Sequence, residues 1–332
     1  MKRRSPLVTT RRSLVTSLAL LGALIVAPAV AHAAKLEKFS VGLVNWIGYT
    51  GLFVGIDKGY FAEEGLEIDP KVFSAPGDGM APVMNGDLDI HFTTLDVVVK
   101  AADKDPNAVK IPFLVDASRG ADAFIAKTAY ATVKDLKGKK VAVTIGECNE
   151  LLLISALTSV GMKEEDVDIV NMNPDDAGTA FASGSVDAAV TWEPWITKAT
   201  SGGEGHVVFS SKQAPYIIID VLVISPKYGK QKQIEGFLRG MVKAHDYIAA
   251  HPDEAAVIAG KAFEQTPEEA AAMLTKVKLF SKAENFSELG TPEKPGPMIP
   301  ATQALIDFFL GRKVIDKPLK PWSLYDMADL RK

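Results

Sequence analysis

Several carboxylates in this sequence stand where their neighbours make a buried charge expensive. Glu193 lies between two tryptophans in "TWEPW", and Asp220 lies inside the strongly apolar segment "YIIIDVLVIS". A carboxylate in such surroundings needs either a partner or a cleft, because an unpaired buried charge is costly. Asp122 and Glu147 stand in two further loops, and Arg119 is the one base in or beside these segments. An anion site would need arginine, lysine or helix N-termini, so this collection of acids favours a cation or a ligand rich in N–H donors.

Aromatic and hydroxyl side chains accompany the acids. Trp46 and Tyr49 occur in the loop "NWIGYTG" after a predicted strand, and their rings could stack on a ligand or pack beneath the following helix. Trp192 stands beside Glu193 and could add cation–π attraction to a bound cation. Thr94 stands at a predicted strand-to-helix turn, where hydroxyls and free helix N–H groups are available to a ligand.

Several of these residues also have a purely structural interpretation. Asp220 could pair with a lysine inside the fold. Glu147 or Asn149, both in "TIGECNE", could serve only to cap the following helix. Glu193 could be a surface carboxylate beside a structural pair of tryptophans. The residue types alone leave these alternatives open.

Short apolar strands alternate with helical patterns along the chain, which predicts an α/β architecture with largely parallel sheets. From Gln231 onward the pattern is mostly helical. Two segments, "NGDLDIHFTT" (85–94) and "SGSVDAAVTW" (183–192), share one frame of glycine, aspartate, apolar and threonine positions. Ligands sit beyond the carboxyl ends of strands in such sheets, so two similar units predict a cleft between two lobes. The frame aligns Glu193 with Leu95, so Glu193 is predicted to face that cleft, with chance similarity as the alternative.

Catalysis has little support in the residues. The histidines after the first 33 residues show no metal-ligand spacing, and no cofactor-binding fingerprint appears. Cys148 is the single cysteine, and its flanking residues Glu147 and Glu150 would raise the pKa of its thiol. We therefore expect no metal, no cofactor and no enzyme activity. A hydrolytic enzyme with Cys148 as nucleophile stands as an alternative.

The first 33 residues predict an export signal, with a basic start, an apolar run and an Ala-His-Ala cleavage pattern. "TRRSLV" (10–15) fits either a twin-arginine motif or an ordinary secretory start. Five of the 37 basic residues lie in this segment, so the mature chain carries about −9. That balance argues against nucleic acid and anionic membranes as partners. We expect a soluble periplasmic protein.

Three segments carry a family resemblance. "WIGYTGLFVGIDKGYFAEEGLEI" (46–68) resembles the opening of the solute-binding proteins of ABC importers for sulfonates, nitrate and taurine. "VKDLKGKKVAV" (133–143) is similar to that family's entry into its second lobe, and "TWEPW" to its strand end. The similarity spans about residues 38–265. Thiamin-pyrimidine precursor proteins are similar in the opening segment too, although the cysteine-rich iron motif of the synthase members is absent here.

The resemblance implies an α/β, two-lobed type II periplasmic-binding-protein fold that closes on its ligand. The crossing strands would lie in "VDASRGADAF" and "YIIIDVLVI". Lobe 1 is then predicted over residues 38–119 plus 225–332, and lobe 2 over residues 124–218. With Trp192 added from the residues themselves, the predicted ligand-binding set is Trp46, Tyr49, Thr94, Asp122, Glu147, Asn149, Trp192, Glu193 and Asp220.

The resemblance also implies a receptor function. A monomeric binding protein would close on a small polar solute and deliver it to an ABC permease in the inner membrane. The turn that commonly carries small hydroxyl residues reads Glu147-Cys148-Asn149 here, which favours an amine, guanidinium or aminopyrimidine compound. A sulfonate, taurine or nitrate receptor of the same fold is the alternative ligand class. A structural or adhesive surface protein is the remaining class.

Overall fold

Two β-sheets organise the chain. The computed structural model describes residues 35–228 and 230–331, and the predicted export signal (1–33) lies outside them. Within the described residues, no helix combines the length and the apolar character needed to cross a membrane. The strands are β1 (Glu37–Leu43), β2 (Leu66–Val72), β3 (Ile90–Thr94), β4 (Lys110–Ser118), β5 (Asp122–Lys127), β6 (Lys140–Val143), β7 (Asp168–Asn171), β8 (Ala188–Trp192), β9 (Gly205–Ser210), β10 (Ile219–Ile224) and β11 (Val277–Leu279).

Helices cover the faces of both sheets. They are α1 (Thr50–Asp57), α2 (Tyr60–Glu63), α3 (Met80–Asn85), α4 (Leu95–Lys104), α5 (Cys148–Ser159), α6 (Pro174–Ala182), α7 (Trp195–Thr200), α8 (Gln231–Ala250), α9 (Pro252–Phe263), α10 (Pro267–Leu274), α11 (Lys282–Leu289) and α12 (Met298–Gly311). We use "lobe 1" for β1–β4, β10 and β11 with α1–α4 and α8–α12. We use "lobe 2" for β5–β9 with α5–α7.

The strand order shows how the chain passes between the sheets. The lobe 1 sheet has the order β11-β4-β10-β3-β1-β2, and the lobe 2 sheet has the order β7-β6-β8-β5-β9. β1 runs parallel to β2 and β3, whereas β10 runs antiparallel to both of its neighbours. The chain therefore leaves lobe 1 after β4 and returns from lobe 2 as β10, so it crosses twice. This arrangement confirms the predicted two-lobed α/β fold.

The central strands are buried on both faces. All residues of β3 and of β10 are buried, because helices cover both sides of the sheet. That burial explains why these segments read as nearly continuous apolar runs. The isolated acid Asp220 in β10 is therefore the exception that needs a chemical reason.

Two details differ from the predicted elements. The segment "GLFVGIDKGYFAEEG" (51–65) predicts one helix that ends at Gly65, whereas the structure breaks it into α1 and α2 at Gly59, whose φ of 74° favours glycine. The predominantly helical C-terminal part also contributes β11, which pairs with β4 at the edge of the lobe 1 sheet. Relative to the predicted lobe boundaries, β10 lies between residues 218 and 225, and β5 begins between residues 119 and 124.

Candidate ligand-binding site between the two sheets

A small cavity lies where the two sheets meet. Its volume is about 10 Å³, which is close to the space that one water molecule needs. Both lobes and the returning strand line it, through Val44, Trp46, Pro76, Thr94, Asp122, Cys148, Trp192, Ile218 and Asp220. Five of the nine predicted site residues are therefore brought together here. The other four, Tyr49, Glu147, Asn149 and Glu193, lie outside the lining.

A larger groove of about 540 Å³ lies elsewhere, between α5 and α12. Its walls are mostly apolar, it carries no charged side chain, and it contains none of the predicted site residues. A polar solute gains little in such a groove, because its polar groups would lose water without finding partners. The small cavity with convergent polar groups is therefore the better candidate site.

Two acids meet in the lobe 1 sheet, where Asp220 lines the cavity and Asp116 lies next to it outside the lining. In the register of the sheet, Asp220 of β10 stands opposite Asp116 of β4. The hydroxyl of Tyr49 donates to Oδ1 of Asp220 at 2.6 Å, and Nε1 of Trp46 donates to both oxygens of Asp116 at 3.2 and 3.4 Å. Trp46 and Tyr49 thus position two carboxyls. Trp46 lines the cavity, whereas Tyr49 holds Asp220 from outside the lining.

A third acid comes from the first residue of β5, on the lobe 2 side. Asp122 is 1% exposed, and its Oδ2 has no hydrogen-bond partner within the described part of the chain. Its backbone N–H donates to Oγ of Ser118 at 3.1 Å, which fixes the start of the strand. The three carboxyls of Asp116, Asp122 and Asp220 are thus gathered where the two crossings converge.

Burial perturbs the pKa of all three carboxyls. Desolvation raises the pKa of Asp116 to about 8, while hydrogen bonding by Trp46 opposes the rise. Desolvation raises the pKa of Asp122 to about 7, and the charge of Glu193 adds to it. Burial, and next the charge of Asp116, hold the pKa of Asp220 well above its ordinary value. These acids resist ionisation unless a cation joins them.

Aromatic surfaces close the cavity from both lobes. The rings of Trp46 and Trp192 lie 6.3 Å apart between centroids, at an interplanar angle of 61°. Trp192 is 3% exposed, so its indole shields the site from water. Indole faces next to carboxyls suit a planar or cationic nitrogen group.

Unpartnered donor groups lie at the cavity, on Thr94 and Trp192, and outside its lining, on Asn149. Oγ1 of Thr94, Nδ2 of Asn149 and Nε1 of Trp192 are buried without hydrogen-bond partners among the described residues. Burial raises the pKa of the Cys148 thiol well above its ordinary value, and nearby carboxyls add to the rise, first among them Asp96. Cys148 therefore stays a neutral thiol in the wall of the cavity.

Glu147 contributes a contact between the lobes. It precedes α5 without a side-chain bond to the helix backbone, so it does not cap the helix through its carboxylate. Its Oε1 accepts from the backbone N–H of Gly77 at 3.0 Å, and its Oε2 is buried without a partner. Desolvation raises the pKa of Glu147 to about 7, with the charge of Asp96 as the next cause.

Glu193 faces neither the cavity nor the solvent. Its side chain is fully buried, and its Oε1 lies 2.6 Å from Nζ of Lys276. Thr197 donates its backbone N–H and its hydroxyl to the same carboxylate, each at 3.0 Å. The ring of Trp195 also contacts a lysine, since Nζ of Lys198 lies 4.6 Å from its ring centroid. Glu193 and Trp195 of "TWEPW" therefore each contact a lysine of the protein itself.

Sequence reasoning missed two important residues. Asp116 lies in the apolar strand segment "IPFLVDAS", so the argument that singled out Asp220 could have found it. Lys276 carries no such signal, because its position beside Glu193 depends on the packing of β11 against β4.

Comparison with known proteins agrees with this architecture. The family described as NMT1/THI5 like matches residues 46–255. A Brucella abortus (strain 2308) protein described as a binding protein is 26% identical over 330 residues, which cover 95% of this chain and 97% of that protein. The formylaminopyrimidine-binding protein of Halalkalibacterium halodurans is 25% identical over 213 residues, 62% of this chain and 64% of that protein.

A solved structure matches nearly the whole fold. The alkanesulfonate-binding protein of Xanthomonas axonopodis pv. citri, bound to MOPS, superimposes with a TM-score of 0.71. The match covers 88% of this chain and 99% of that one, at 17% sequence identity. At this identity the match establishes the fold alone.

Proposed function

Because the chain belongs to the NMT1/THI5-like family, we propose that it captures a small nitrogen-containing, cationic or N–H-rich solute between its two lobes. The coarser function is that of a solute-binding protein of an ABC importer, not of an enzyme. The buried, neutral Cys148 thiol agrees with a binding role, because a thiol nucleophile works as the thiolate.

A cluster of three buried carboxyls, two of which line one cavity, carries the proposal. Asp116, Asp122 and Asp220 are at most 3% exposed; Asp122 and Asp220 line the cavity, and among the described residues no basic side chain lines it. Oδ2 of Asp122 is buried without a partner, so one acceptor already awaits a donor. A cation or an N–H-rich group would satisfy it and would favour the ionised form of all three acids.

The lobes move apart to admit the solute. A cavity of about 10 Å³ cannot hold an amine with its carbon skeleton, so entry requires the sheets to separate and to close again around the ligand. On closing, the indoles of Trp46 and Trp192 exclude water, while the carboxyls accept from the ligand. The closed complex then docks on the permease, and the protein acts as a monomer in the periplasm after export.

The second candidate ligand is a sulfonate or a zwitterion such as taurine. It is favoured by the unpartnered donors of Thr94 and Trp192, which line the cavity and could serve an anionic group. The alkanesulfonate-binding protein with the same fold points the same way. An anion, however, would lie among three carboxyls, so its binding would require these acids to remain protonated.

The pH dependence of affinity separates the two classes. A thermal-shift screen with guanidinium, primary amine, aminopyrimidine, sulfonate and nitrate compounds identifies binders, and calorimetry then follows them from pH 6 to pH 8. A cation needs ionised acids, so its affinity rises with pH, by up to about tenfold per unit for each proton displaced. An anion shows the opposite slope. Stabilisation by sulfonates or nitrate alone would overturn the cation proposal.

A variant pair checks that the carboxyls carry the affinity. Asp122→Asn keeps the shape of the side chain and should weaken binding of the cation by about a hundredfold, because it removes a charge from a buried site. Asp89→Asn is the control, since Asp89 is a partly buried carboxylate, with a side chain that is 11% exposed, and it lies outside the cavity, where it holds Ser40 and Lys230 before β3. Equal affinities of the two variants would show that Asp122 does not contact the ligand.

A further inference from the structure

The first connection between the lobes is short and is held on both sides. Residues 119–121 join β4 to β5, and Gly120 in their middle has a φ of 116°, which favours glycine. On the lobe 1 side, the backbone N–H of Arg119 donates to the carbonyl of Lys276 at 2.8 Å. On the lobe 2 side, the backbone N–H of Glu193 donates to the carbonyl of Ala121 at 2.9 Å. Rotation at Gly120 therefore moves Lys276 and Glu193 relative to one another.

The side chains of these two residues join across the connection. Nζ of Lys276 lies 2.6 Å from Oε1 of Glu193, and the lysine side chain is 39% exposed while the glutamate is fully buried. The remaining acceptor capacity of Glu193 is used by Thr197 on its own lobe. Lys276 thus supplies the cation for a buried carboxylate from the opposite side of the hinge.

We propose that Lys276 and Glu193 form a hinge clasp that stabilises the closed arrangement of the lobes. The clasp rests on the lobe movement of the proposed function, and it does not depend on the chemical class of the ligand. Separation of the lobes draws Lys276 away from Glu193, and water then solvates both charges. In the closed arrangement, the buried carboxylate depends on Lys276, because a buried charge without a partner is strongly unfavourable.

The clasp also reaches the ligand site. The charge of Glu193 acts on Asp122 and raises the pKa of its carboxyl, after the larger effect of burial. Lys276 offsets that charge when the lobes are closed. Lys276 is therefore a positioning residue, which acts on the ligand through the hinge and through Glu193 without lining the cavity.

The two halves of the clasp predict an asymmetry. Lys276→Met leaves the carboxylate of Glu193 buried and unpaired in the closed arrangement, so the lobes should open. Glu193→Gln removes the charge and leaves only the half-exposed lysine, which water can solvate. The double variant should therefore behave like Glu193→Gln, because the unpaired buried charge has gone.

The test measures lobe separation in the ligand-free protein. Spin labels on Val72→Cys in lobe 1 and Val207→Cys in lobe 2 report the distance distribution, because both positions are exposed and Cys148 is buried. Lys276→Met should lower the ratio of closed to open molecules by about tenfold, and Glu193→Gln by less. Lys276→Arg should keep the ratio of the parent protein, since it keeps the positive charge.

A matched pair inside one lobe serves as the control. Arg239 and Glu64 are also 2.6 Å apart, but both belong to lobe 1, so Arg239→Met should leave the distance distribution unchanged. An unchanged distribution in Lys276→Met, with two separations resolved in the parent protein, would overturn the clasp. A single rigid separation that persists in every variant and with every ligand would instead overturn the lobe movement, and the clasp with it.

Discussion

The strands β3 and β8 end in the same kind of hydrogen bond, from a threonine hydroxyl to a proline carbonyl, but the residues that follow differ in chemistry. The hydroxyl of Thr93 donates to the carbonyl of Pro76 at 2.8 Å, and the hydroxyl of Thr191 donates to the carbonyl of Pro174 at 2.7 Å. In both cases the acceptor lies 17 residues earlier in the chain. Each unit therefore ties the end of its strand to a proline carbonyl, which lies before α3 in one unit and at the first residue of α6 in the other.

The next positions of the two strand ends differ. Thr94 and Trp192 each line the cavity, one with a hydroxyl and the other with an indole. One residue further on, Leu95 enters the core of lobe 1, whereas Glu193 pairs with Lys276. The shared threonine thus belongs to the scaffold, and the two residues after it distinguish the lobes.

The acids show a parallel difference. Asp116 and Asp220 belong to the lobe 1 sheet and are held by the N–H of Trp46 and the hydroxyl of Tyr49. Asp122 belongs to the lobe 2 sheet, and its Oδ2 has no partner among the described residues. The carboxyls of lobe 1 are therefore held by side chains of their own lobe, whereas Oδ2 of Asp122 in lobe 2 is not.

The largest expected effect follows from replacing Trp192 of β8 by threonine, the residue at the equivalent position of β3. Trp192→Thr removes a buried indole and leaves a cavity, so the free energy of unfolding should fall by about 3 kcal/mol in urea titrations at 25 °C. Trp195→Thr is the control, since Trp195 is half-buried and does not line the cavity. Equal losses in the two variants would mean that the end of β8 is no more tightly packed than α7.

A smaller effect concerns Asp122, which should make the stability of the protein depend on pH. The pKa of Asp122 is raised to about 7 in the folded protein, so folding retains its proton and stability is lost as the pH rises from about 4 to 7. Asp122→Asn removes this contribution. The loss of unfolding free energy between pH 5 and pH 8 should shrink by about 2 kcal/mol in the ligand-free protein. A slope equal to that of the parent protein, with Asp89→Asn as reference, would argue against a perturbed Asp122.

Much of this organisation could be predicted from the sequence. Alternating strands and helices predict the two sheets, and the frame shared by residues 85–94 and 183–192 places Thr94 and Trp192 at equivalent strand ends. Asp220 is expected at a special site because an acid in an apolar strand needs a chemical reason. These inferences depend on local pattern, which the sequence displays directly.

The partner of Glu193 could not be predicted in the same way. Lys276 is 83 residues away in the chain, and its position depends on β11, a short strand inside a mostly helical region. The period of the apolar residues places Glu193 directly after a strand, but it does not give the direction of the Glu193 side chain. The sequence argument predicts a bound cation beside Glu193 in the cleft, whereas in the structure this carboxylate pairs with Lys276 of lobe 1 and does not line the cavity.

The smallest expected effect tests the hydrogen bond between threonine and proline that the two strand ends share. Thr191→Val and Thr93→Val keep the branched shape and remove the hydroxyl, so each should lower the free energy of unfolding by about 1 kcal/mol. The loss should be smaller for Thr93→Val, because Nε2 of His91 also donates to the carbonyl of Pro76 at 2.9 Å. Urea unfolding of both variants measures the difference. A larger loss for Thr93→Val would contradict the equivalence of the two strand ends, because the end with the additional donor should be the less sensitive one.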